Sequence, residues 1–492
     1  MIDRKQFLSG LCALGAAPLF PRVAFAQDAK PSGLTAEVAD FIVSTRFSDL
    51  PPALIELSKK HVLDCMGLAL AGEMAETGPL VRKYVASLGT GKATVLGTAL
   101  SAQPRFAAFA NGVAIHADDY DDTQLAVGKD RAYGLLTHPS VTALPASLAM
   151  AEALGKSGRD FMLAYHLGVE VETKIAEASD PRAYNTGFHS TGLFGVFGAA
   201  TGAAKVRGLD AKGVRCALGL AGAQASGLRE NFGTMTKPFQ AGHGAEGGVV
   251  AADLAALGWT AAENILEAPN GLYHAAAGSF DAASISGKLG KPWSFMTPGV
   301  SIKPYPSGSL SHPALDEMSR LVKANDLKPE QIELIRVGGN KAMLNALFRH
   351  RPTSGLEGKF SMEYLMAVLV VDRKAGLGQF TDAAVNRPAV QALLRKVEYY
   401  DNPASDAAGA DKMHSIIEIK LKDGRTIQGN PVDYARGSPQ VPMTFDDVVE
   451  KFRDCAGYAG LSGQQAERII AAVRGIDGLA DIGQLTRLMV KG

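Results

Sequence analysis

Between His116 and Thr123 the chain reads His-Ala-Asp-Asp-Tyr-Asp-Asp-Thr, placing four carboxylates and an imidazole on one short stretch directly after an apolar, helix-like run. Carboxylates crowded this closely need a proton, a metal ion or a cationic side chain opposite them if the fold buries them. The candidates come later in the chain. His138 stands between Thr137 and Pro139, and His189 lies in Gly187-Phe188-His189-Ser190-Thr191-Gly192. Both positions read as helix starts, where the positive end of the helix dipole favours a neutral imidazole able to accept a proton. Lys237 and Lys303 each precede a proline, which holds the lysine backbone extended and aims the ammonium. Together these residues can form a metal-free site for a small polycarboxylate, with imidazoles moving a proton next to a carboxylate and lysines over the developing charge. In this reading His138 is the main acid/base, Asp119 orients it, and His189 is a second acid or hydrogen-bond donor. Lys237 and Lys303 anchor carboxylates, Lys237 within the catalytic group.

Two other readings compete. Asp118-Asp119-Tyr120-Asp121-Asp122 fits an Asp-rich pattern that on a helix holds magnesium for a diphosphate, although no second Asp/Asn-Ser/Thr-Glu ligand set follows. A solvated acidic loop is the bland alternative. Taken singly, either histidine also reads as a helix cap and either lysine as a surface residue whose loss leaves the fold intact.

The elements that must position these groups are mostly helical. Apolar residues at three-and-four spacing mark helices from Leu34 onward, and then over 78–88, 104–116, 139–154, 160–177, 191–206, 210–225 and 244–256. Most are rich in Ala and Gly, which lets helices approach closely. After about Ala268 the pattern changes. Short β-like runs appear at Ser301-Ile302, Ile332–Val337, His414–Leu421 and Thr426-Ile427, the last two joined by an Asp423-Gly424 turn. Helices at 312–324, 362–371 and 389–394 alternate with them. The expected class is mainly α: a large all-helical domain over 34–275, completed by C-terminal helices over 444–490, and a smaller α+β lid domain over 280–430.

With 50 basic and 50 acidic residues the net charge is +0, so no global field attracts nucleic acid. Residues 1–26 read as an export signal: Arg4-Lys5, an apolar run from Phe7 to Phe20, and Ala24-Phe25-Ala26 before the cleavage point. Arg4-Lys5-Gln6-Phe7-Leu8 resembles a twin-arginine signal with lysine second, and Sec export is the other route; either gives a periplasmic protein without a membrane anchor. Cys12 leaves with that segment, and Cys65, Cys216 and Cys455 show no metal-binding spacing. No cofactor is expected, since neither a cysteine cluster nor a glycine-rich dinucleotide fingerprint is present.

The ordered segments His116–Thr123, Thr137–Ser140, Gly187–Gly192, Gly233-Thr234-Met235-Thr236-Lys237-Pro238 and Lys303-Pro304-Tyr305-Pro306 leading to His312-Pro313 resemble the MmgE/PrpD family, whose members include 2-methylcitrate dehydratase, cis-aconitate decarboxylase and iminodisuccinate epimerase. The resemblance covers residues 34 to about 475. It implies a helical domain with a smaller lid, a homodimer, and a site between the domains formed by Asp119, Thr123, His138, His189, Lys237 and Lys303, with Thr123 on the substrate. Gln240 and Gly308 stand where other members carry histidines, and the run from Thr123 to His138 is longer than in the decarboxylases. These departures point away from decarboxylation, so the expected reaction is dehydration. The remaining possibilities are an epimerase or decarboxylase of the same family, an exported carboxylate-binding protein without turnover, and a magnesium-dependent diphosphate lyase.

Overall fold

Small residues set how closely the helices of this chain approach, and that spacing brings the chemistry together. The computed structural model describes residues 33–124, 137–409 and 412–491; the export-signal reading of 1–26 lies outside them. In chain order the helices are α1 (Leu34–Ser44), α2 (Pro52–Gly72), α3 (Thr77–Ala86), α4 (Pro104–His116), α5 (Ser140–Ala153), α6 (Gly158–Ala178), α7 (Arg182–Asn185), α8 (Ser190–Arg207), α9 (Ala211–Gly222), α10 (Thr236–Ala256) and α11 (His312–Ala324). Pro52 and Pro104 open α2 and α4 at the first helical position, where a missing N–H leaves no hydrogen bond unmade. Ser157 and Asp160 close a capping box at the start of α6, and Asp210 caps α9 through Gly213 N at 2.8 Å.

α10 packs on α8, α4, α9 and α5. A Cβ on Gly242 would meet Phe109 O at 2.6 Å and Val113 Cγ2 at 2.5 Å, and one on Gly112 would meet Gly242 Cα at 3.0 Å. The α4–α10 crossing therefore admits no side chain at either position. The same crossing holds the last turn of α4, with His116, against the first turn of α10, with Lys237. Around it one apolar core gathers residues from Leu34 to Ile302 together with Leu377 and residues from Met443 to Met489, most of the last in helices Phe445–Tyr458, Gly463–Arg474 and Gly483–Leu488.

A second apolar core gathers residues between Leu310 and Leu421 around a four-stranded sheet. A separate antiparallel pair, β1 (Ala93–Thr94) and β2 (Ser101–Ala102), belongs to the helical part. In the larger sheet β3 (Ile332–Gly339) pairs in parallel with β4 (Val397–Asp401), Ile335 opposite Val397, and antiparallel with β5 (Ile416–Leu421), Ile335 opposite Ile419. β5 turns through Asp423-Gly424 into β6 (Thr426–Gln428), and Gly424 at φ 88° supplies the left-handed turn position. Helix α11 and the helix Met362–Asp372 cover the sheet. The fold is thus mainly α with a smaller α+β part.

Three local expectations differ from the structure. Helix α10 begins at Thr236 instead of Gly244, because Pro238 falls in its first turn, where proline is tolerated. Strand β4 was not anticipated: Val397-Glu398-Tyr399-Tyr400-Asp401 is short, and only its long-range parallel partner makes it a strand. Ser301 forms an isolated bridge with Thr123 and no strand. Cys65, Cys216 and Cys455 are buried free thiols, and among the described residues no helix is long and apolar enough to cross a membrane.

The crossing yields a stability prediction. Gly242→Val should destabilise the protein by roughly 2–3 kcal/mol or more in urea melts, through overpacking against the α4 backbone. Gly457→Ala, on an exposed helical face with nothing within 4 Å, should be neutral or stabilising by about 0.5–1 kcal/mol. Equal stability of Gly242→Val and the wild type would show that the crossing is looser than its glycines indicate.

Candidate active site

Helix α4 delivers His116 in its last turn, and the chain then turns sharply, with Asp119 in the left-handed region at φ 50°. That conformation is tolerated best by short polar residues. It sends each carboxylate of the acidic stretch to a different partner. Asp118 Oδ1 meets Lys359 Nζ at 2.8 Å, and Asp119 Oδ1 lies 2.6 Å from Lys237 Nζ and 3.0 Å from Lys303 Nζ. Lys303 also donates to the Asp119 carbonyl at 3.0 Å. Asp121 bridges two imidazoles, His116 Nδ1 at 2.9 Å and His138 Nδ1 at 2.8 Å. Asp122 pairs with His61 Nδ1 at 2.8 Å and accepts from Ser140 Oγ at 2.5 Å, which in turn meets Tyr165 OH. The acidic stretch is therefore neither solvated nor free. Asp119, Asp121 and Asp122 are all buried.

The partner expected to orient His138 was Asp119. The structure places Asp121 beside it instead, while Asp119 joins the two lysines. His138 Nδ1 donates to the carbonyl of Asp122 at 2.9 Å and has Asp121 Oδ2 in ion-pair range. That occupies Nδ1 and leaves Nε2 without a protein partner among the described residues. His138 holds its place because its own N–H donates to Thr191 Oγ1 at 3.1 Å and Pro139 leads into α5. His189 caps α8 and donates from Nδ1 to Gln240 Oε1 at 2.6 Å. Gln240 in turn donates from Nε2 to Leu228 O at 2.9 Å, which fixes the amide and hence the imidazole tautomer, so that the buried, unpartnered His189 Nε2 is an acceptor. Gln240, noted in the sequence only as a departure, thus sets the protonation pattern of His189.

His116 was not singled out from the sequence as a site residue. Its Nε2 lies 2.8 Å from Lys237 Nζ, and as the ammonium can only donate, His116 Nε2 accepts while Nδ1–H donates to Asp121. The result is a hydrogen-bonded chain from Asp121 through His116 to Lys237, with His138 at ion-pair distance from its Asp121 end. The rings of His116 and His138 are 4.7 Å apart. Burial, opposed by Asp121, lowers the His116 pKa to about 4, and burial with the Lys237 charge pushes His189 well below the ordinary histidine value. Both are neutral at pH 7. Burial alone would raise Asp119, but Lys237 and then Lys303 outweigh it and hold its carboxyl well below the usual carboxylate range. Burial also lowers Lys237, against the opposing pull of Asp119.

Asp119, His138, His189, Lys237 and Lys303 converge on one cavity of about 40 Å³, which Tyr184, Phe232, Leu310, Leu347 and Phe360 also line. Thr123 is not part of that lining. Its hydroxyl donates to Thr137 O at 3.1 Å, and its backbone pairs with Ser301, so it braces the segment that carries His138. Lys237 and Lys303 were each open to a surface reading; both are almost fully buried. A wider cleft of about 930 Å³ lies elsewhere, lined by Tyr120, Pro304 and several arginines, and none of the histidines reaches it. Donor atoms of His116, His138 and His189 lie within 4.8 Å of one another, as do those of His116, Asp119, Asp121 and His138. A metal ion could draw on either group, but the Lys237 ammonium already satisfies His116 Nε2 and Asp119 Oδ1.

Beneath the cavity a second polar layer supports the loop. Lys451 pairs with Asp64 at 2.7 Å and donates to the carbonyls of Tyr120 and Lys303, at 2.8 and 2.9 Å. The C-terminal helix Phe445–Tyr458 thereby fixes Tyr120, the neighbour of Asp119, and the backbone of Lys303 itself.

The model of the MmgE/PrpD N-terminal domain matches residues 36–284, and that of the C-terminal domain matches residues 305–477. The chain belongs to the MmgE/PrpD family. Cis-aconitate decarboxylase of Homo sapiens is 29% identical over 469 residues, covering 93% of this chain and 94% of the relative. The Mus musculus protein of the same name is 29% identical, with 93% of each chain covered. The Aspergillus terreus decarboxylase is 27% identical, covering 93% and 96%. This MmgE/PrpD chain is accordingly of a carboxylate-lyase type, and the relatives do not single out dehydration within it.

The site also makes a stability prediction. Asp119→Asn leaves two buried ammonium groups without their carboxylate and should cost roughly 3–5 kcal/mol at pH 7, read from urea melts. The depressed carboxyl binds its proton more weakly in the fold than its ordinary value of 3.8. It therefore contributes stability above that pH, which is lost as the pH falls further. Below about pH 4 the wild type should lose stability more steeply than Asp119→Asn. A variant as stable as the wild type would remove Asp119 as the partner that keeps the two lysines buried.

Proposed function

We propose that the protein is a lyase for a small di- or tricarboxylate, working by acid/base chemistry next to a carboxylate, and that its net reaction is decarboxylation. The observation that carries this reading is the Asp119 carboxylate held between Lys237 and Lys303 at the same cavity as His138 Nε2. Two ammoniums fixed around one acid give a substrate carboxylate a cationic seat and stabilise negative charge that develops beside it. His138 Nε2 is the group placed to exchange a proton with carbon. Asp121, shared with His116, orients that imidazole and offsets its charge when the proton is present. Lys237 sits at the far end of the same chain, so its charge is coupled to the state of His138. The relatives named cis-aconitate decarboxylases, similar over nearly the whole chain, favour loss of carbon dioxide over the loss of water expected from the sequence.

In such a step the bond to the departing carboxylate breaks, carbon dioxide leaves without the electron pair, and the pair ends on a carbon adjacent to a second carboxylate. His138 then protonates that carbon and regains a proton from solvent. Every atom is supplied by substrate, water and the chain's own residues.

Export and a homodimer belong to this reading as proposals. Periplasmic protein whose mass begins at Gln27, and a twofold mass in solution, are the expected results; a mass that begins at Met1 would overturn export, and a single-chain mass the dimer. The reaction itself is tested in deuterated water with a panel of unsaturated di- and tricarboxylates. Carbon dioxide release with one deuteron in the product is expected; water loss alone would restore dehydration, and inertness towards every acid would overturn the lyase. On the best substrate, His138→Ala and Asp121→Asn should each lower kcat by roughly 10²–10⁴ with little change in KM. Full activity in His138→Ala would remove the acid/base assignment.

A further inference from the structure

The lining of the cavity divides by chemistry. Its charged part is Asp119, Lys237 and Lys303, beside His138 and His189; the rest is chiefly Phe232, Leu310, Leu347 and Phe360. These apolar groups form a connected surface. Phe232 stacks on Phe360 with ring centroids 5.5 Å apart, and Leu347 and Phe360 both border Gly308, where an added Cβ would lie 3.0 Å from Leu347 Cδ2 and 3.5 Å from Phe360 Cδ1. All four side chains are buried. Tyr184 and Ser309 add only neutral hydroxyls to the lining.

Charge sets how many carboxylates such a cavity can hold. Among the described lining residues the ammonium groups are those of Lys237 and Lys303, one for each of two carboxylates, while Asp121 offsets a proton on His138. Against the phenyl and leucyl groups a third carboxylate would lie buried without a compensating charge among those residues.

The proposed reaction needs only two carboxylates. One, on a carbon next to a double bond, leaves as carbon dioxide; its bonding pair forms a new double bond, and the former π pair moves to a carbon beside the second carboxylate, where His138 delivers the proton. The substituent on the central carbon of that five-carbon frame takes no part in the electron flow. We infer that the substrate is an unsaturated dicarboxylate with an apolar branch on that central carbon, and that the branch lies against Leu310, Leu347 and Phe360. The inference rests on the lyase reading for its chemistry and on the cavity for the branch.

Binding and turnover separate the two. Calorimetry with the unreactive saturated acids 3-propylpentanedioate and propane-1,2,3-tricarboxylate should give at least about tenfold tighter binding of the propyl acid to the wild type. Leu347→Arg, which brings a cation to the apolar surface, should move the ratio about tenfold or more towards the tricarboxylate. Equal or tighter binding of the tricarboxylate to the wild type overturns the inference, whatever the fate of the variant. The unsaturated pair, 3-propylpent-2-enedioate and cis-aconitate, then reads the chemistry. Faster carbon dioxide release from the propyl acid supports both conclusions, and faster release from cis-aconitate overturns the inference while the lyase stands. Preferential binding of the propyl acid with no turnover of either overturns the lyase and leaves the ligand class in place.

Discussion

The arrangement around Asp119 is the constraint on which the rest of the site depends. A buried ammonium is costly to desolvate, and two of them within reach of each other repel; one carboxylate 2.6 and 3.0 Å away makes both tolerable. The three groups come from the turn after α4, from the first turn of α10 and from the segment that leads to the sheet-bearing part. No two of them are close in sequence. The fold must be closed before the charges balance, so the site and the contact between the helical and α+β parts form together.

Close helix packing makes that balance possible. Gly112 and Gly242 let α4 and α10 touch backbone to backbone, which sets how far the end of one helix lies from the start of the other. His116 and Lys237 then need no long reach, and a hydrogen bond of 2.8 Å joins them. The Asp64–Lys451 pair steadies the same turn from below through the carbonyls of Tyr120 and Lys303. Stability and chemistry therefore draw on the same residues.

Much of the fold was legible because helical periodicity is local. Helix α4 was placed over 104–116, as observed, and the class followed from the shift to short alternating runs beyond Ala268. Five of the six residues assigned to the site line one cavity, because helix starts and lysine-proline pairs mark where a side chain can be aimed. What local patterns do not carry is partnership. The choice between Asp119 and Asp121 as neighbour of His138 depends on a left-handed residue inside the turn. His116 looked like the end of a helix because its partner Lys237 lies 121 residues away. Thr123 was assigned to substrate by resemblance, yet its hydroxyl is engaged by Thr137. Phe232, Leu347 and Phe360 carried no signal at all, since apolar residues in loops and short helices look alike until the two parts of the chain meet.

The acidic stretch behaves like a key with its teeth in fixed order. Asp118 answers to Lys359, Asp119 to Lys237 and Lys303, Asp121 to His116 and His138, and Asp122 to His61 and Ser140. Each tooth has its own lock in a different part of the chain. A substitution at one position disturbs one lock, but gaining or losing a residue within the stretch moves every carboxylate beyond the change away from its partner at once. The length of the stretch is accordingly as much a part of the site as the residues within it.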